Sequence, residues 1–365
     1  MRTVLLSFAA AGALLGGCTT DYSFTDSVNS SHLELAPRAD FGDELSTPYV
    51  LGATFTVYIS SREQDTNFTG WKVRVTDPEV LTLREPEPRW VDRNTLAVDM
   101  FAAGPGTTEL LLIDASDDVR GSAAAEVRAP TAARLHAAAI AALEDPDFRG
   151  ETPHPQILTG GTASFVVQYL DGDLLLQGST SLEVATTPEL EAVVQHSRAA
   201  DNRDIVQISA GDPGLAALDL WVGGAPLQRV EVDVVAPEAV AAIDLIHRRG
   251  ADENDEEASD WLIVAQAYDQ FRDPIYGVGF GWDLEGRGFE QAGDVLVYER
   301  DPDRDSLKRV TAWTAGIESS IHVQAADAEV FTSNDEAFNC SVTGDAAPPL
   351  WALVLLICAG RRRRR

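Results

Sequence analysis

The chain of 365 residues has little cysteine, little histidine and few basic residues for its length. Cysteine occurs only at Cys18, Cys340 and Cys358, all near the ends. The body between them can form no internal disulfide and no cysteine-based zinc site. It must rely on hydrophobic cores, which domains of about 100 residues are large enough to build. The six histidines, His32, His136, His154, His196, His247 and His322, are dispersed, and none stands in a His-Glu-x-x-His pattern. There is no Gly-x-Ser-x-Gly elbow and no Gly-x-x-x-x-Gly-Lys phosphate loop. The run Asp301-x-Asp303-x-Asp305 opens like a calcium loop. It has Ser306 where the glycine is needed and Ala312 where the closing glutamate belongs, which excludes an EF-hand. Paired carboxylates abound only because acids abound. The expectation is a non-enzyme with no resident cofactor.

Basic charge is scarce. The whole chain carries −30. Removing residues 1–17 takes away one arginine, and removing 341–365 takes away Asp345 and five arginines. The remaining body has 22 basic and 57 acidic residues, a net −35. No nucleic-acid footprint is compatible with that balance. Such charge favours solubility and divalent-cation or polybasic partners, and disfavours broad adhesion to anionic headgroups.

The ends are distinctive. Arg2 supplies a positive n-region and Val4 to Leu15 an apolar h-region of about the length of a secretion signal. Leu15-Gly16-Gly17-Cys18 resembles a bacterial lipobox. The resemblance implies cleavage before Cys18 and lipid on its sulfur and new amino group. Thr19, not Asp, follows the cysteine, which implies export to the outer membrane. At the other end stand Cys340, a short spacer, Pro348-Pro349, an apolar run from Leu350 to Gly360 and Arg361 to Arg365. That run is short for a spanning helix, but flanking arginines can snorkel to extend its reach. They would face the cytoplasm by the positive-inside rule, leaving the body outside. Cysteine, spacer, apolar helix and arginine cluster together resemble the myxobacterial C-terminal sorting tag, which implies processing near Cys340 and delivery to the cell surface. A plain tail anchor is the alternative.

The body repeats. Gly52-Ala-Thr-Phe-Thr-Val-Tyr-Ile59 is echoed by Gly161-Thr-Ala-Ser-Phe-Val-Val-Gln-Tyr169, and Val73-Arg-Val-Thr-Asp-Pro-Glu-Val80 by Leu182-Glu-Val-Ala-Thr-Thr-Pro-Glu-Leu190. Val127-Arg-Ala-Pro130 is echoed by Val234-Val-Ala-Pro237. Gly104, Gly211 and Gly316 each precede a late alternating run. Spacings of about 107 to 110 residues mean whole domains and not solenoid units. Phe55, Val57 and Ile59 alternate with Thr54, Thr56 and Tyr58, as do Phe165, Val167 and Tyr169 with their neighbours, and Leu262, Val264, Gln266 and Tyr268 less cleanly. This predicts half-buried strands separated by turns at Asp114 to Asp118, Asp171-Gly172-Asp173, Gly211 to Gly214 and Asp301-Pro-Asp303. Ala132 to Leu143 suits a helix by propensity. Its place after Pro130 matches Val240 to Leu245 after Pro237, which predicts a first strand. Gly277, Gly279 and Gly281 read as alternating glycines within a strand, permitting a bulge or close packing.

Ala267-Tyr-Asp-Gln-Phe-Arg-Asp-Pro-Ile-Tyr-Gly-Val-Gly-Phe-Gly-Trp282 resembles a bacterial Ig-like domain of the invasin and intimin type, most clearly in the Asp269-to-Pro274 turn and Trp282. The resemblance implies an all-β fold of three tandem Ig-like antiparallel β-sandwiches, flanked by an N-terminal signal helix and a short C-terminal transmembrane helix. The expected division is signal peptide 1–17, linker 18–29, Ig-like domains 30–129, 130–236 and 237–335, and sorting or membrane-anchor segment 336–365. Such domains serve as spacers or adhesive modules on bacterial surfaces. The expected protein is a lipid-anchored outer-membrane or cell-surface module. Its partners are the membrane, the export and sorting machinery, and a surface protein or polysaccharide, with no nucleic acid. A calcium- or carbohydrate-binding module and an enzyme on a β-sandwich scaffold stay open as alternatives. The acidic run around Asp252, Asp255, Glu256 and Asp260 reads first as a solvated loop; it is also the calcium candidate, because a cation there would relieve like-charge repulsion. Trp71, Trp90, Trp221, Trp261, Trp282 and Trp313 lie in or beside strand-like runs. Core packing is expected for most, with Trp90 the candidate for contact with a sugar or partner.

Overall fold

The computed structural model of the protein describes residues 22–26, 45, 47–61, 68–85, 88–91, 95–138, 152–196, 204–249, 261–284, 289–292, 295–298, 308–323 and 341–342. The first repeat unit holds β1 (Tyr22–Asp26), β2 (Tyr49–Val50), β3 (Thr54–Ser61), β4 (Lys72–Val75), β5 (Leu81–Leu83), β6 (Arg89–Trp90), β7 (Thr95–Ala102), β8 (Gly106–Ile113) and β9 (Val119–Arg128). One sheet runs β1-β3-β7-β5, with β6 also on β7, and the facing sheet runs β2-β9-β8-β4. β1 lies in the stretch read from the sequence as a linker. The second unit holds β10 (Ala132–Ala137), β11 (Gln156–Leu158), β12 (Thr162–Asp171), β13 (Leu174–Leu176), β14 (Leu182–Thr186), β15 (Leu190–His196), β16 (Asp204–Ala210), β17 (Gly214–Val222) and β18 (Ala225–Val235). A 3-10 turn at Pro237–Ala239 leads into the third unit. There lie β19 (Ala242–Arg249), β20 (Trp261–Tyr268), β21 (Pro274–Tyr276), β22 (Gly281–Leu284), β23 (Phe289–Ala292), β24 (Val295–Tyr298), β25 (Lys308–Thr314) and β26 (Ile317–Val323). A short β27 (Ser341–Val342) pairs with β12. The chain is all-β, a tandem of Ig-like sandwiches.

The sequence echoes fold into the same geometry. The Ala102 N–H donates to the Ala53 carbonyl and its carbonyl accepts from the Gly52 N–H, and Ala210 bonds to Gly161 and Gly160 in the same way. Gly104 and Gly211 both crowd the carbonyl of the glutamate in the Pro-Glu echo, Glu79 and Glu189. β10 confirms the strand reading of the alanine-rich segment over its first six residues; Ala139 to Leu143 lie outside the described residues.

Along β3 the alternation is as expected, with Phe55, Val57 and Ile59 buried and the residues between them half-buried. β12 departs from the expectation, because residues 163–170 are all buried. Phe165, Val167 and Tyr169 join the main core, while Val166 packs with Ile205 and Ala138 on the opposite face. Along β12 the sheet is covered on both sides, and a strand so placed has no reason to alternate in hydrophobicity. The main core runs without interruption from Leu45 to Val234 and takes in Tyr276, so two units share one apolar cluster. The third unit has clusters of its own around Ile263 and Leu296 and around Ile275 and Val278.

Candidate functional site

The candidate site that the described residues build best is the joint between successive units, made twice from the same parts. At the first joint, β2 pairs in parallel with β9, Tyr49 opposite Val127 and Val50 opposite Arg128. Its other edge forms a parallel bridge from Tyr49 to Gln177 of the second unit. The Val50 N–H donates to the Gln177 carbonyl at 2.9 Å, and the Gln177 N–H donates to the Pro48 carbonyl at 2.9 Å. At the second joint, β11 pairs in parallel with β18, Ile157 opposite Val234, and in parallel with β21 of the third unit, Ile157 opposite Tyr276. One short strand at each joint is therefore shared by two units, and at the second joint a single nine-stranded sheet crosses from unit to unit.

The side chains at the joints repeat the logic. Asp171 opens the turn after β12 and accepts from Arg128 of the preceding unit at 2.9 Å. Asp269 opens the matching turn after β20 and accepts from Gln156 of the preceding unit at 3.3 Å. Gln177 and Tyr276 are each followed by a glycine at positive φ, Gly178 at 98° and Gly277 at 77°, which an L side chain would strain. A Cβ at Gly52 would lie 2.6 Å from the Thr180 hydroxyl oxygen, and one at Gly161 would collide with the Gly277 backbone. The Tyr276 ring packs edge-on against Phe165 at 5.2 Å, and its hydroxyl lies 2.5 Å from the Thr152 hydroxyl.

The first joint contains a buried carboxylate. Asp204 is fully buried and accepts from the Tyr169 hydroxyl at 2.5 Å and from the Thr180 N–H at 2.8 Å. The Thr180 hydroxyl in turn donates to the Leu51 carbonyl of the first unit at 2.7 Å. Burial, then the charge of Asp204 and its hydrogen bond, push the Tyr169 phenol well above its ordinary range. Tyr169 is therefore a permanent donor.

Several sequence-read residues fall elsewhere. Cys18, Cys340 and the acidic run with Asp252, Asp255, Glu256 and Asp260 lie outside the described residues. Among the described residues no group of three or more His, Cys, Asp or Glu is placed to hold a metal ion, and no helix is long and apolar enough to cross a membrane. His136 is buried with its Nε2 3.2 Å from Gln168, whereas His154 and His322 are exposed. The expectation that most tryptophans are core residues is corrected. Trp71 and Trp282 are half-buried, but Trp221 is 36% exposed and Trp313 44%, while Trp90, the one expected at the surface, is 51% exposed. Leu220 and Ala312, next to Trp221 and Trp313 in sequence, take the inward positions, and strand alternation turns these two tryptophans out. Trp221 sits beside the Arg229–Asp219 ion pair in an open depression of about 260 Å³ on the β17–β18 hairpin. The three glycines from 277 to 281 do not alternate within one strand, but the close packing expected of them is present at Gly277 and Gly281. Gly277 forms a bend after β21, Gly279 lies between strands and Gly281 begins β22, packed so closely on Trp313 that no side chain fits.

No family model and no curated protein matches the chain. Solved structures do resemble it. Domains 4–9 of the surface layer protein SbsC match at 13% identity and a TM-score of 0.35, over 76% of this chain and 43% of that one. The Escherichia coli adhesin FdeC matches at 11% identity and a TM-score of 0.25, over 84% and 98% of the two chains. Invasin, a bacterial integrin-binding protein, matches at 12% identity and a TM-score of 0.24, over 76% and 57%. The chain spans less than half of the S-layer chain. Likenesses this distant carry nothing about activity or partners.

Proposed function

We propose that the protein is a non-enzymatic cell-surface lipoprotein whose tandem Ig-like units form a stiff spacer, holding adhesive surface away from the membrane that Cys18 anchors. The observation that supports this best is the repeated joint. A linker of free residues would let each unit swing, as the small polar interfaces between domains ordinarily allow. Here a shared strand, a turn-opening aspartate and a glycine contact with no spare room restrain each joint in translation and rotation together. The exposed Trp221, between an ion pair and Gln228 in an open depression, favours a carbohydrate or protein contact as the adhesive element. In this reading Cys340 marks the processed end of the surface-delivered form.

Electron microscopy of the full chain tests the spacer. The expected particles show one outline with fixed angles at both joints. A broad spread of angles at either joint would sink the reading. Intact-mass measurement of the mature protein locates both ends. Added lipid on Cys18 and an end near Cys340 are expected, and an unmodified chain starting elsewhere would remove the anchor from the proposal.

A further inference from the structure

We propose that the end of the first unit built on Trp90 docks onto the lipid surface that Cys18 tethers, so that the spacer stands on an aromatic foot. The inference rests on the reading of Cys18 as the lipid-bearing residue.

The pairing of the first sheet fixes which end is which. Tyr22 lies opposite Ser61, Thr95 opposite Ser60, and the Val91 N–H donates to the Thr95 carbonyl at 3.1 Å. Tyr22, where the chain enters the sheet, and Trp90-Val91 thus share one end of the unit. The Gly52 turn, which receives the second unit, lies at the other end of β3, about 23 Å away for seven residue steps of strand. At the corresponding ends of β12 and β20, Asp171 and Asp269 accept hydrogen bonds from Arg128 and Gln156 of the unit before. With Cys18 as the lipid-bearing residue, that place on the first unit falls to the lipid surface. Four residue steps separate Cys18 from Tyr22, a reach of at most about 14 Å.

The chemistry of that end suits a lipid headgroup layer. Trp90 and Val91 are 51% and 52% exposed, two large apolar side chains next to each other. Trp90 meets Phe68 edge-on at 5.7 Å, and Phe68 meets Trp71 edge-on at 5.1 Å, so the exposed ring has a firm backing. The strand carrying it is held by the Arg89–Asp99 ion pair at 2.8 Å. Tryptophan favours the interfacial layer, with its ring among the upper acyl segments and its N–H among headgroups. A body with −35 net charge disfavours lying flat on an anionic surface, which leaves contact through this end.

The test uses the full chain, with the state of Cys18 read by intact mass, reconstituted into phosphatidylcholine vesicles with or without bromine near the headgroup end of the acyl chains. Bromine quenches only indole that reaches the bilayer. The Trp90 signal is wild-type emission minus that of Trp90→Ala, which also removes the contribution of Trp351 in the tail. We expect bromolipid to reduce that signal by about twofold or more, as interfacial placement requires, and to leave the matching Trp221→Ala difference unchanged. Because Trp90 is exposed, Trp90→Ala is expected to keep the wild-type melting temperature. With Cys18 lipidated, equal quenching of wild type and Trp90→Ala overturns the docking and spares the anchor. With Cys18 bare, quenching of Trp90 upholds the docking and overturns the anchor, whereas its absence overturns both. A Trp90 signal that responds to protein concentration and not to bromine assigns the end to a second copy and also overturns the proposal.

Discussion

Asp204 occupies a core position that belongs to a hydrophobe elsewhere in the array. Counting back from Ala210 and Ala102, which make the same backbone pair, the matching residue of the first unit is Leu96, also buried. A carboxylate there is costly unless its lone pairs are used. Tyr169 and Thr180 use them, and Thr180 passes the constraint on to Leu51 across the joint. Asp204→Ala leaves a buried hydroxyl and a buried N–H without their acceptor, and should cost about 3 kcal/mol in denaturant unfolding. Asp204→Asn keeps one carbonyl oxygen and should cost about 1 kcal/mol. Equal, small losses would mean that the network carries no weight. Asp99 gives a pH signature on the strand under Trp90. Burial pushes its carboxyl up, but hydrogen bonds from Thr56 at 2.6 Å and Arg89 at 2.8 Å, with the charge of Arg89, outweigh this and hold it below its ordinary value. A lowered folded-state value means that the contribution is present above the unfolded value of about 3.9 and is lost as pH falls through the folded one. Asp99→Asn should therefore destabilise the protein by about 1 kcal/mol at neutral pH, a modest figure because Arg89 is half-exposed. The gap from wild type should close on acidification below about pH 4. A gap that persists unchanged at low pH would contradict the assignment.

At the scale of elements, β2 and β11 matter more than their length suggests. Each is a two- or three-residue strand with a neighbour on both edges, one of them in the next unit. Gly161→Ala should strain the second joint, since the new methyl meets the Gly277 backbone and backbone cannot swing aside as a side chain would. A loss of about 1–3 kcal/mol is expected, the usual range for overpacking. Faster hydrogen exchange should appear at Ile157 and Tyr276, and exchange at Val98 in the first unit should not change. The long strands were readable beforehand. Phe55, Val57 and Ile59 show their period, and the repeat carries that reading to β12 and its partners. The joint strands were not readable, because Thr47-Pro-Tyr-Val50 and Thr152-Pro-His-Pro-Gln-Ile-Leu158 are too short to show a period and too rich in proline to resemble strands. β1 escaped notice because a lone edge strand of five residues shows no partner in sequence. Trp221 and Trp313 were misassigned for a different reason. A period of two says that a strand has two faces but not which one meets the core. Trp221 also sits at a register shift between Leu220 and Trp221, which moves the phase of the β17–β18 pair. One signal for the joints was present. Gly178 and Gly277 follow the turn-opening Asp171 and Asp269 after seven and eight residues, a near-match that the repeat phrases do not include.

At the scale of the molecule, an array whose units touch only their neighbours has a stability that is the sum of unit terms and joint terms. The distribution of the core says how these divide. The first two units share one apolar cluster, whereas the third has separate clusters and contributes Tyr276 to its neighbour's. Cutting at residue 236 severs β11 from β21 and Phe165 from Tyr276, and exposes both faces of that joint to water. Fragments 131–236, 237–335 and 131–335 separate the terms. If the joint contributes about 2 kcal/mol, the linked pair should melt roughly 5–10 °C above the less stable single fragment, because one kcal/mol moves the midpoint of a domain of this size by several degrees. The same rise should vanish when Tyr276→Ala is placed in the pair, while the isolated 237–335 fragment should lose less from that substitution, having no Phe165 for the ring to meet. Independent melting of the two units in 131–335, at the temperatures of the separate fragments, would mean that the shared strand aligns the units without coupling them. The stiffness proposed for the array would then come from geometry alone.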